Sequence, residues 1–292
     1  MYVISCESTI DLPREYVEAR NCPTIKYNYF DGDVEHIDDM NASDEHMEEF
    51  YAMLKTSKPT TSLICSEKYV EYFESFLAAG KDVLHLAFGS GMSQSVHNAC
   101  VAREQLLEKY PDRKLEVIDS TCSSAGYGLL VDDALDMRDE GASFDEIANF
   151  AKNSCHKLHH QFFSTDLSYF RKSGRVSGTA AFIGSILGIC PAMRLNYDGK
   201  IIAYSNSLGK KKALKYCLSE VSKHIEKGQN YDKKMFICHS NCVDTALTLK
   251  EELQKAYPKA KDMRIVNIGP IIACHCGPGT VAVFFWGDER PQ

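Results

Sequence analysis

The amino-acid sequence predicts an α/β protein of two domains, and three observations support this prediction. Short apolar runs alternate with amphipathic helical segments in the first half, which is typical of a doubly wound parallel sheet covered by helices on both faces. Loops rich in glycine and hydroxyl residues follow several of these runs. The chain has 292 residues, near the length at which a single core stops growing.

Periodicity and capping residues define the elements of the first half. After the apolar strand "MYVISC", the segment "DLPREYVEARN" is typical of a helix capped by Asp11, with Pro13 in its first turn. Ser43 is expected to cap the next helix, because acidic residues follow it. The other predicted elements are helices over 43–56 and 66–80, strands over 82–88 and 115–120, and helices that end near Tyr110, Gly141 and Cys155.

The second half is predicted to form a smaller α/β domain with a mixed sheet. A basic turn over 171–175 precedes an apolar, glycine-spaced helix, and "AMRLNYDGKIIAYSNS" is typical of a hairpin about Asp198-Gly199. Two helices then alternate with strands, "HCGPG" is a tight turn, and "TVAVFFW" is the last strand. We place the domain boundary at 165, so that the domains comprise residues 1–165 and 166–292.

Composition and charge exclude several classes of function. Hydrophobic residues make up 44% and charged residues 25%, as in ordinary globular proteins. The formal charge of −7 gives no basic footprint for nucleic acid or an anionic membrane. The longest nearly apolar segment is shorter than the ~20 residues that span a bilayer, and the N-terminus lacks a signal-peptide pattern. We therefore expect a cytoplasmic protein without nucleic-acid partners or stable membrane insertion.

The twelve cysteines are spread along the chain and are expected to be reduced thiols. Two clusters, Cys238 with Cys242 and Cys274 with Cys276, each enclose a histidine. The spacing of Cys238 and Cys242 is within the range of structural zinc sites, whereas that of Cys274 and Cys276 is not, and buried thiols at strand ends are the simpler interpretation of both. We therefore expect buried thiols there, with no bound metal and no other cofactor.

Hydroxyl side chains follow three predicted strands, at the edge where doubly wound sheets bind ligands. They are Ser8 and Thr9, then Ser90 and Ser93, then Ser120, Thr121, Ser123 and Ser124, while a separate loop carries Thr56, Ser57, Thr60, Thr61 and Ser62. Caps and turns account for single hydroxyls of this kind. Four clusters at one edge indicate a binding site.

The glycine loop "GSGMSQS" (89–95) leaves three interpretations open. It lacks the third glycine and the lysine of nucleotide-binding loops. It also lacks the G-x-S-x-G of a nucleophile elbow, although a serine hydrolase acting on acyl esters, with Asp119 or His275 assisting, stays an alternative. Hydroxyls and amides at a helix N-terminus suit a carboxylate best, because the dipole and the amides stabilise the anion.

A series of motifs resembles the DegV family over nearly the full length. They are "ESTIDL" (7–12), "TSKP" (56–59), "GSGMSQS" (89–95), "IDS" (118–120), "LSYFRKSGRVSG" (167–178), "CPAM" with "DGKI" (198–201), and "HCGPG" (275–279). The resemblance implies a non-enzymatic carrier that encloses one long-chain fatty acid between two α/β domains. It also implies, for some members, presentation of the acid to a separate ATP-binding fatty-acid kinase.

The resemblance also assigns residues to roles. The ligand carboxylate is assigned to Thr56 and Ser93, with Ser57, Ser90 and Gly91 as neighbours; the pocket mouth to His275 and Gly277; and partner docking to Arg171, Arg175 and Lys210. The segments "AAFIGSILGI" and "TVAVFFW" are expected to line the acyl chain. About fifteen buried methylenes at ~0.8 kcal/mol each would contribute at most ~12 kcal/mol.

The chain departs from the family pattern at three places. Glu7 stands where the family has aspartate, and Cys190 where it has lysine. Leu208-Gly209 replaces the arginine and threonine that kinase-dependent members carry before a helix. The lysines that follow lack the bidentate geometry of arginine, so this departure bears on the kinase partner rather than on lipid binding.

Overall fold

The computed structural model describes residues 1–41, 43–177 and 188–292. Its strands are β1 (Tyr2–Glu7), β2 (Thr24–Ile25), β3 (Asn28–Asp31), β4 (Val34–Ile37), β5 (Thr60–Thr61), β6 (Asp82–Ala87), β7 (Leu115–Asp119), β8 (Leu158–Ser164), β9 (Val176–Ser177), β10 (Ile189–Leu195), β11 (Ile201–Leu208), β12 (Lys234–His239), β13 (Lys261–Asn267) and β14 (Thr280–Trp286).

The α-helices of the same residues are α1 (Arg14–Ala19), α2 (Asp44–Thr56), α3 (Ser66–Leu77), α4 (Ser95–Lys109), α5 (Ser124–Asp139), α6 (Phe144–Ser154), α7 (Ser168–Ser173), α8 (Lys210–His224), α9 (Val243–Ala256) and α10 (Pro270–Cys276). Most of the predicted wall segment "AAFIGSILGI", with the apolar helix predicted there, lies outside the described residues.

The first sheet is parallel and has the strand order β2-β1-β6-β7. Five of the six residues of β6 are buried, as expected when helices cover both faces. Helices α3 and α4 pack together against β6, and α5 and α6 form a second pair. The α/β class with a parallel sheet is therefore confirmed, and β6 and β7 match the predicted strands to within one residue.

A small antiparallel sheet, of order β4-β3-β5, lies between β2 and α3 in the chain. The sequence did not predict it, because its strands contain only two to four residues. Its shortest strand, β5, pairs with β3 so that Thr61 lies opposite Tyr29. This pairing holds the loop that contains Thr61 against the rest of the first half.

The second sheet is mixed and has the order β13-β12-β14-β8-β10-β11-β9. The hairpin predicted about Asp198-Gly199 is present as the antiparallel pair β10 and β11. Strand β8 pairs with β14 on one side and β10 on the other, and all seven of its residues are buried. Residues 158–164 thus belong to the second sheet although they precede the boundary predicted at 165.

Asp11 joins the two halves of the molecule and does not cap α1. Pro13 occupies the cap position of α1 without a side-chain hydrogen bond, and Asp11 has a left-handed φ of 50°, which aspartate tolerates. Its carboxyl group accepts the Ser124 hydroxyl at the start of α5 and the Gly269 N–H (3.0 Å) before α10. The predicted cap is therefore wrong, and Asp11 instead links the segment after β1 to the start of α5 and to the residue before α10.

The pH dependence of stability tests this role of Asp11. Burial raises the pKa of Asp11 to about 8, so the folded chain keeps a proton that the unfolded chain releases. This carboxyl group therefore lowers the free energy of unfolding as the pH rises from about 4 to about 8. Asp11→Asn mimics the protonated form and should remove the effect.

We expect the free energy of unfolding of Asp11→Asn, minus that of the parent, to increase with pH across this window and then level off. Urea titrations at a series of pH values measure it. The exposed Asp33→Asn variant serves as the control and should follow the parent. A constant difference between Asp11→Asn and the parent at every pH would contradict a buried, protonated Asp11.

Candidate functional site

A cavity of about 540 Å³ lies where the segments after β2, β5 and β6 face the second sheet and α10. This volume is within the range of ~300–1,000 Å³ for small-molecule sites. The first half contributes Tyr27, Thr61, Ser62, Leu63, Phe88, Ser90, Gly91, Met92, Ser93, Gln94 and Ser123. The second half contributes Phe170, Ser173, Gly174, Arg175, Lys200, Ile201, Ile271, Ile272, His275 and Cys276.

The glycine loop connects β6 to α4 and packs directly on the β10–β11 hairpin. A methyl group added to Gly91 would overlap the carbonyl group of Gly199, and one added to Gly89 would lie 2.8 Å from the backbone of Cys122. Only glycine permits such close approach of two backbones. The loop therefore forms one wall of the cavity with its backbone.

Ser93 faces the cavity and belongs to a buried hydrogen-bond network. Its Oγ donates to Ser95 Oγ at 3.1 Å and accepts the Ser95 N–H at 3.2 Å. The Tyr27 hydroxyl lies 3.3 Å from Ser93 Oγ and 3.3 Å from the carboxylate of Glu7. Because a phenol has one proton, Tyr27 donates to one of these two oxygens at a time.

Glu7 occupies the end of β1, and its side chain is fully buried. Its carboxylate accepts the Tyr69 hydroxyl at 2.5 Å and the Phe88 N–H at 3.1 Å, and His85 Nε2 lies 3.4 Å away. Burial, reinforced by the charge of Glu7, raises the pKa of Tyr27 well above its usual value. Tyr27 therefore stays a neutral hydrogen-bond donor at neutral pH.

Thr61 and His275 meet at another part of the cavity wall, with Thr61 Oγ1 2.8 Å from His275 Nε2. Burial, assisted by the positive charge of Arg175, lowers the pKa of His275 to about 4. The imidazole is therefore neutral at pH 7. His275 lies in the last turn of α10 rather than in the tight turn predicted from the sequence.

The structure brings Ser90, Gly91, Ser93 and His275 to one cavity, as expected, but it does not bring Thr56 there.

Thr56 and Ser57 end α2, where both hydroxyls donate to the Met53 carbonyl at 3.1 Å. They line a neighbouring cavity of about 460 Å³. Thr61 lines both cavities, as do Arg175 and His275, so Thr61 becomes a further candidate for the carboxylate, while the role of Thr56 stays a prediction. The signal was present in the sequence, because Thr61-Ser62 repeats the Thr56-Ser57 dipeptide.

The other assigned residues divide between the cavity and the surface. Gly277 ends α10 with a φ of 62° and contacts the Tyr169 ring, so it does not line the cavity. Arg171 is exposed on α7. Lys210 begins α8 beside a separate hollow of about 320 Å³. Partner docking at these positions stays a prediction, whereas Arg175 lines the cavity.

Two positively charged side chains line the cavity, and the sequence analysis assigned neither of them to the ligand site. Arg175 and Lys200 both contribute to its wall, while the described residues of that wall include no aspartate or glutamate. Arg175 donates to the Ser173 carbonyl, and the Lys200 ammonium lies 3.5 Å from exposed Asp198. The described part of the cavity wall therefore carries positively charged residues and no acidic ones.

An apolar recess continues from this cavity between the two halves. Met92, Phe170 and Ile272 line both spaces. Ala282 and Phe284 of β14 also line the recess. The sequence analysis predicted an apolar wall from this strand. The site therefore combines a polar, cationic part with an apolar extension.

The cysteines form no disulfide among the twelve positions, all of which are described. Cys238 and Cys276 line the apolar recess. Burial raises the pKa of Cys276 to about 12, and that of Cys242 to about 11. These side chains are therefore protonated thiols at neutral pH. Within the described residues, no helix has the length and apolar character needed to cross a bilayer.

The model of the family described as "Uncharacterised protein, DegV family" matches residues 2–288. The chain belongs to the DegV family. The DegV domain-containing protein CPE0026 of Clostridium perfringens is 37% identical over 290 residues, which cover 99% of this chain and 98% of the relative.

Two solved structures of the DegV family are similar to this fold over almost all of its length. The "fatty acid binding DegV family protein SAG1342" from Streptococcus agalactiae is 28% identical with a TM-score of 0.81, covering 100% of this chain and 99% of its own. A DegV family protein from Thermus thermophilus, whose structure is described by "Fatty Acid Binding", is 22% identical with a TM-score of 0.87. That match covers 98% of this chain and 99% of the other.

The close packing of the glycine loop in this DegV protein is testable by adding one methyl group. Gly91→Ala should lower the free energy of unfolding by about 1–3 kcal/mol, because the methyl overlaps the Gly199 backbone, which cannot rotate away. Ser90→Ala, in the same loop, should change it by less than about 0.5 kcal/mol. Chemical denaturation measures both, and equal stability of the two variants would refute the contact.

Proposed function

We propose that this DegV protein binds one long-chain fatty acid, with the carboxylate between Ser93, Thr61 and Arg175 and the acyl chain running along the apolar side chains of the cavity toward the apolar recess. One observation carries the proposal: hydroxyls and cations meet at one part of a cavity whose extension is apolar. The solved relatives described as fatty-acid-binding proteins support the same ligand class.

The network behind Ser93 explains how it would hold a carboxylate. Tyr27 and the Ser95 N–H use only the lone pairs of Ser93 Oγ, so the single Ser93 proton can turn from Ser95 Oγ to the ligand. The Ser95 N–H continues to donate to Ser93 Oγ and holds it in place. Each hydrogen bond to the charged ligand would contribute about 1.5–3 kcal/mol.

The acyl chain would supply most of the affinity. Each buried methylene contributes ~0.8 kcal/mol, and the loss of freedom on binding offsets part of the total. The two cations and the neutral His275 would discriminate between the ionised acid and a neutral ester, because only the acid carries a charge for Arg175 and Lys200 to compensate.

The hydrolase alternative lacks a base for its nucleophile. A catalytic serine needs a base within hydrogen-bond reach. Across the described residues, no histidine hydrogen-bonds to Ser90 or Ser93; Ser93 has hydroxyl and amide partners, and His275 Nε2 has Thr61. We therefore propose a binding protein without catalysis of its own.

We further propose that the bound acid is presented to a separate ATP-binding kinase. This more specific proposal rests on the family resemblance. Arg171 and Lys210 are exposed and available to such a partner. Leu208, which stands where kinase-dependent members have arginine, is 71% exposed. Such a partner would therefore meet an apolar side chain where it meets a guanidinium in other members.

The assignment of the carboxylate site is tested by three matched variants. Ser93→Ala and Thr61→Val should each weaken oleate binding by about 1–3 kcal/mol, roughly five- to 150-fold, because each removes a hydrogen-bond donor from the carboxylate. Thr56→Val is the control and should bind as the parent does. Calorimetry on delipidated protein measures affinity, and native mass spectrometry of the purified parent shows any acid that copurifies.

Equal losses of oleate affinity in Thr56→Val and Thr61→Val would refute the assignment of the carboxylate to Thr61 rather than to Thr56. If the delipidated parent binds neither oleate nor palmitate, fatty-acid binding itself is refuted.

The contribution of the Arg175 charge to oleate binding is tested by comparison with Arg171, which lies four residues earlier in the chain. Arg175→Gln should weaken oleate binding by about tenfold or more and reduce its dependence on salt, because a cation of the cavity wall is lost. Arg171→Gln should leave both unchanged, since Arg171 is not part of that wall. Titrations at low and high salt measure the effect, and indistinguishable variants would rule out a role for Arg175.

A further inference from the structure

A second group of polar side chains lies outside the fatty-acid cavity. His159, His224 and Asp288 each place one nitrogen or oxygen atom within 4.8 Å of the other two. Asp288 Oδ1 is 3.1 Å from His159 Nε2 and 3.0 Å from His224 Nδ1. In a tetrahedral zinc site with bonds of ~2.0–2.1 Å, ligand atoms are about 3.3 Å apart.

We propose that His159, His224 and Asp288 form a site for a divalent transition metal, with zinc as the best match. Two imidazole nitrogens and one carboxylate oxygen are a donor set that zinc accepts. The Asp288 side chain is 60% exposed, so water can reach the fourth position. This departs from the expectation of no metal, which was argued from the cysteine clusters.

A carboxylate behind one histidine strengthens the case. His224 turns Nδ1 to Asp288, and its other nitrogen, Nε2, lies 3.6 Å from Glu220. Glu220 is itself held by Arg194 at 3.2 Å and Lys223 at 2.5 Å. A carboxylate on the distal nitrogen is the usual partner of a metal-binding histidine, because it orients the ring and leaves the near nitrogen for the metal.

The three donors are held by different elements of the second half. His159 is on the central strand β8, and His224 ends α8. Asp288 follows β14, and its N–H donates to the His224 carbonyl at 3.0 Å, so the backbone already holds the carboxylate near the rings.

A metal here would fasten the C-terminal segment to the second sheet. Two residues after Asp288, the buried Arg290 donates to the Thr121 carbonyl at 2.9 Å and to the Thr121 hydroxyl. Thr121 belongs to the loop that packs on Gly199 of the hairpin. The proposed metal would therefore stabilise the fold and hold in place the C-terminal segment, whose Arg290 contacts Thr121.

The acidic group Asp132, Asp133 and Asp136 is a weaker candidate. Lys234 lies within 2.5–3.1 Å of all three carboxylates, and Arg20 pairs with two of them. The cations already neutralise this group, so it needs no metal. The histidine-containing site has no Lys or Arg within ion-pair distance of Asp288 among the described residues.

The experiment titrates chelator-treated, reduced full-length protein with Zn²⁺, and in parallel with Co²⁺ as a spectroscopic probe. We expect one Zn²⁺ per chain, a higher melting temperature, and a Co²⁺ spectrum without a thiolate charge-transfer band. His224→Gln and Asp288→Asn should abolish this binding, and Glu220→Gln should weaken it about 10- to 100-fold. Asp232→Asn, an exposed acid that pairs with Lys227 elsewhere, is the control and should bind as the parent.

Three outcomes would overturn the proposal. They are the absence of stoichiometric Zn²⁺ binding, a thiolate band that assigns the metal to cysteines, and unchanged affinity in both His224→Gln and Asp288→Asn. A hydrogen bond between His224 and Asp288 without any bound metal predicts the first of these. Circular dichroism of each variant without metal separates lost binding from lost folding, and oleate affinity measured in parallel keeps this test independent of the proposed fatty-acid site.

Discussion

The buried carboxylate of Glu7 is the interaction on which the binding loops depend. Its partners come from separate segments of the first half: Tyr27, Tyr69, His85 and the Phe88 N–H. Burying an ion costs several kcal/mol unless donors surround it, so each of these groups is held where the carboxylate can reach it. Ser93 is positioned through the same network, because Tyr27 touches both Glu7 and Ser93. The longer side chain that replaces the family's aspartate thus takes part in an extensive network.

Much of the fold was predictable because its strongest signals are local. Buried parallel strands such as β6 appear as continuous apolar runs, and Ser43 caps α2 through the His46 N–H as its position suggested. Besides the small sheet of β4, β3 and β5, two features were not predicted, each for a physical reason. The strand β8 contains His159, His160 and Gln161, whose polarity hides a fully buried central strand. Asp11 has the sequence position of a cap, but its partners, Ser124 and Gly269, come from distant elements that no local pattern reveals.

The candidate site was predictable where one loop supplies it and not where several elements must meet. The glycine loop carries Ser90, Gly91 and Ser93 together, so a single motif located all three. To locate the threonine of the site, one must choose between two Thr-Ser dipeptides, Thr56-Ser57 and Thr61-Ser62. That choice depends on the pairing of β5 with β3, a two-residue register without a sequence signature. Arg175 and Lys200 follow different strands or helices of the second half, and only tertiary packing places both charges on one cavity.

The contact between the halves also limits what the cavity can hold. Gly91 lies backbone to backbone against Gly199 next to the hydroxyl loops, which leaves no free space between them, and the Arg290 guanidinium donates to the Thr121 carbonyl at the same junction. The cavity of about 540 Å³ continues toward Met92, Phe170 and Ile272 into a narrower recess of about 60 Å³, whose lining is apolar. A molecule that satisfies both regions has a small anionic end and a long apolar body. Because the chain carries a formal charge of −7, the cations of the cavity wall are a local exception that favours such an anion over neutral lipids.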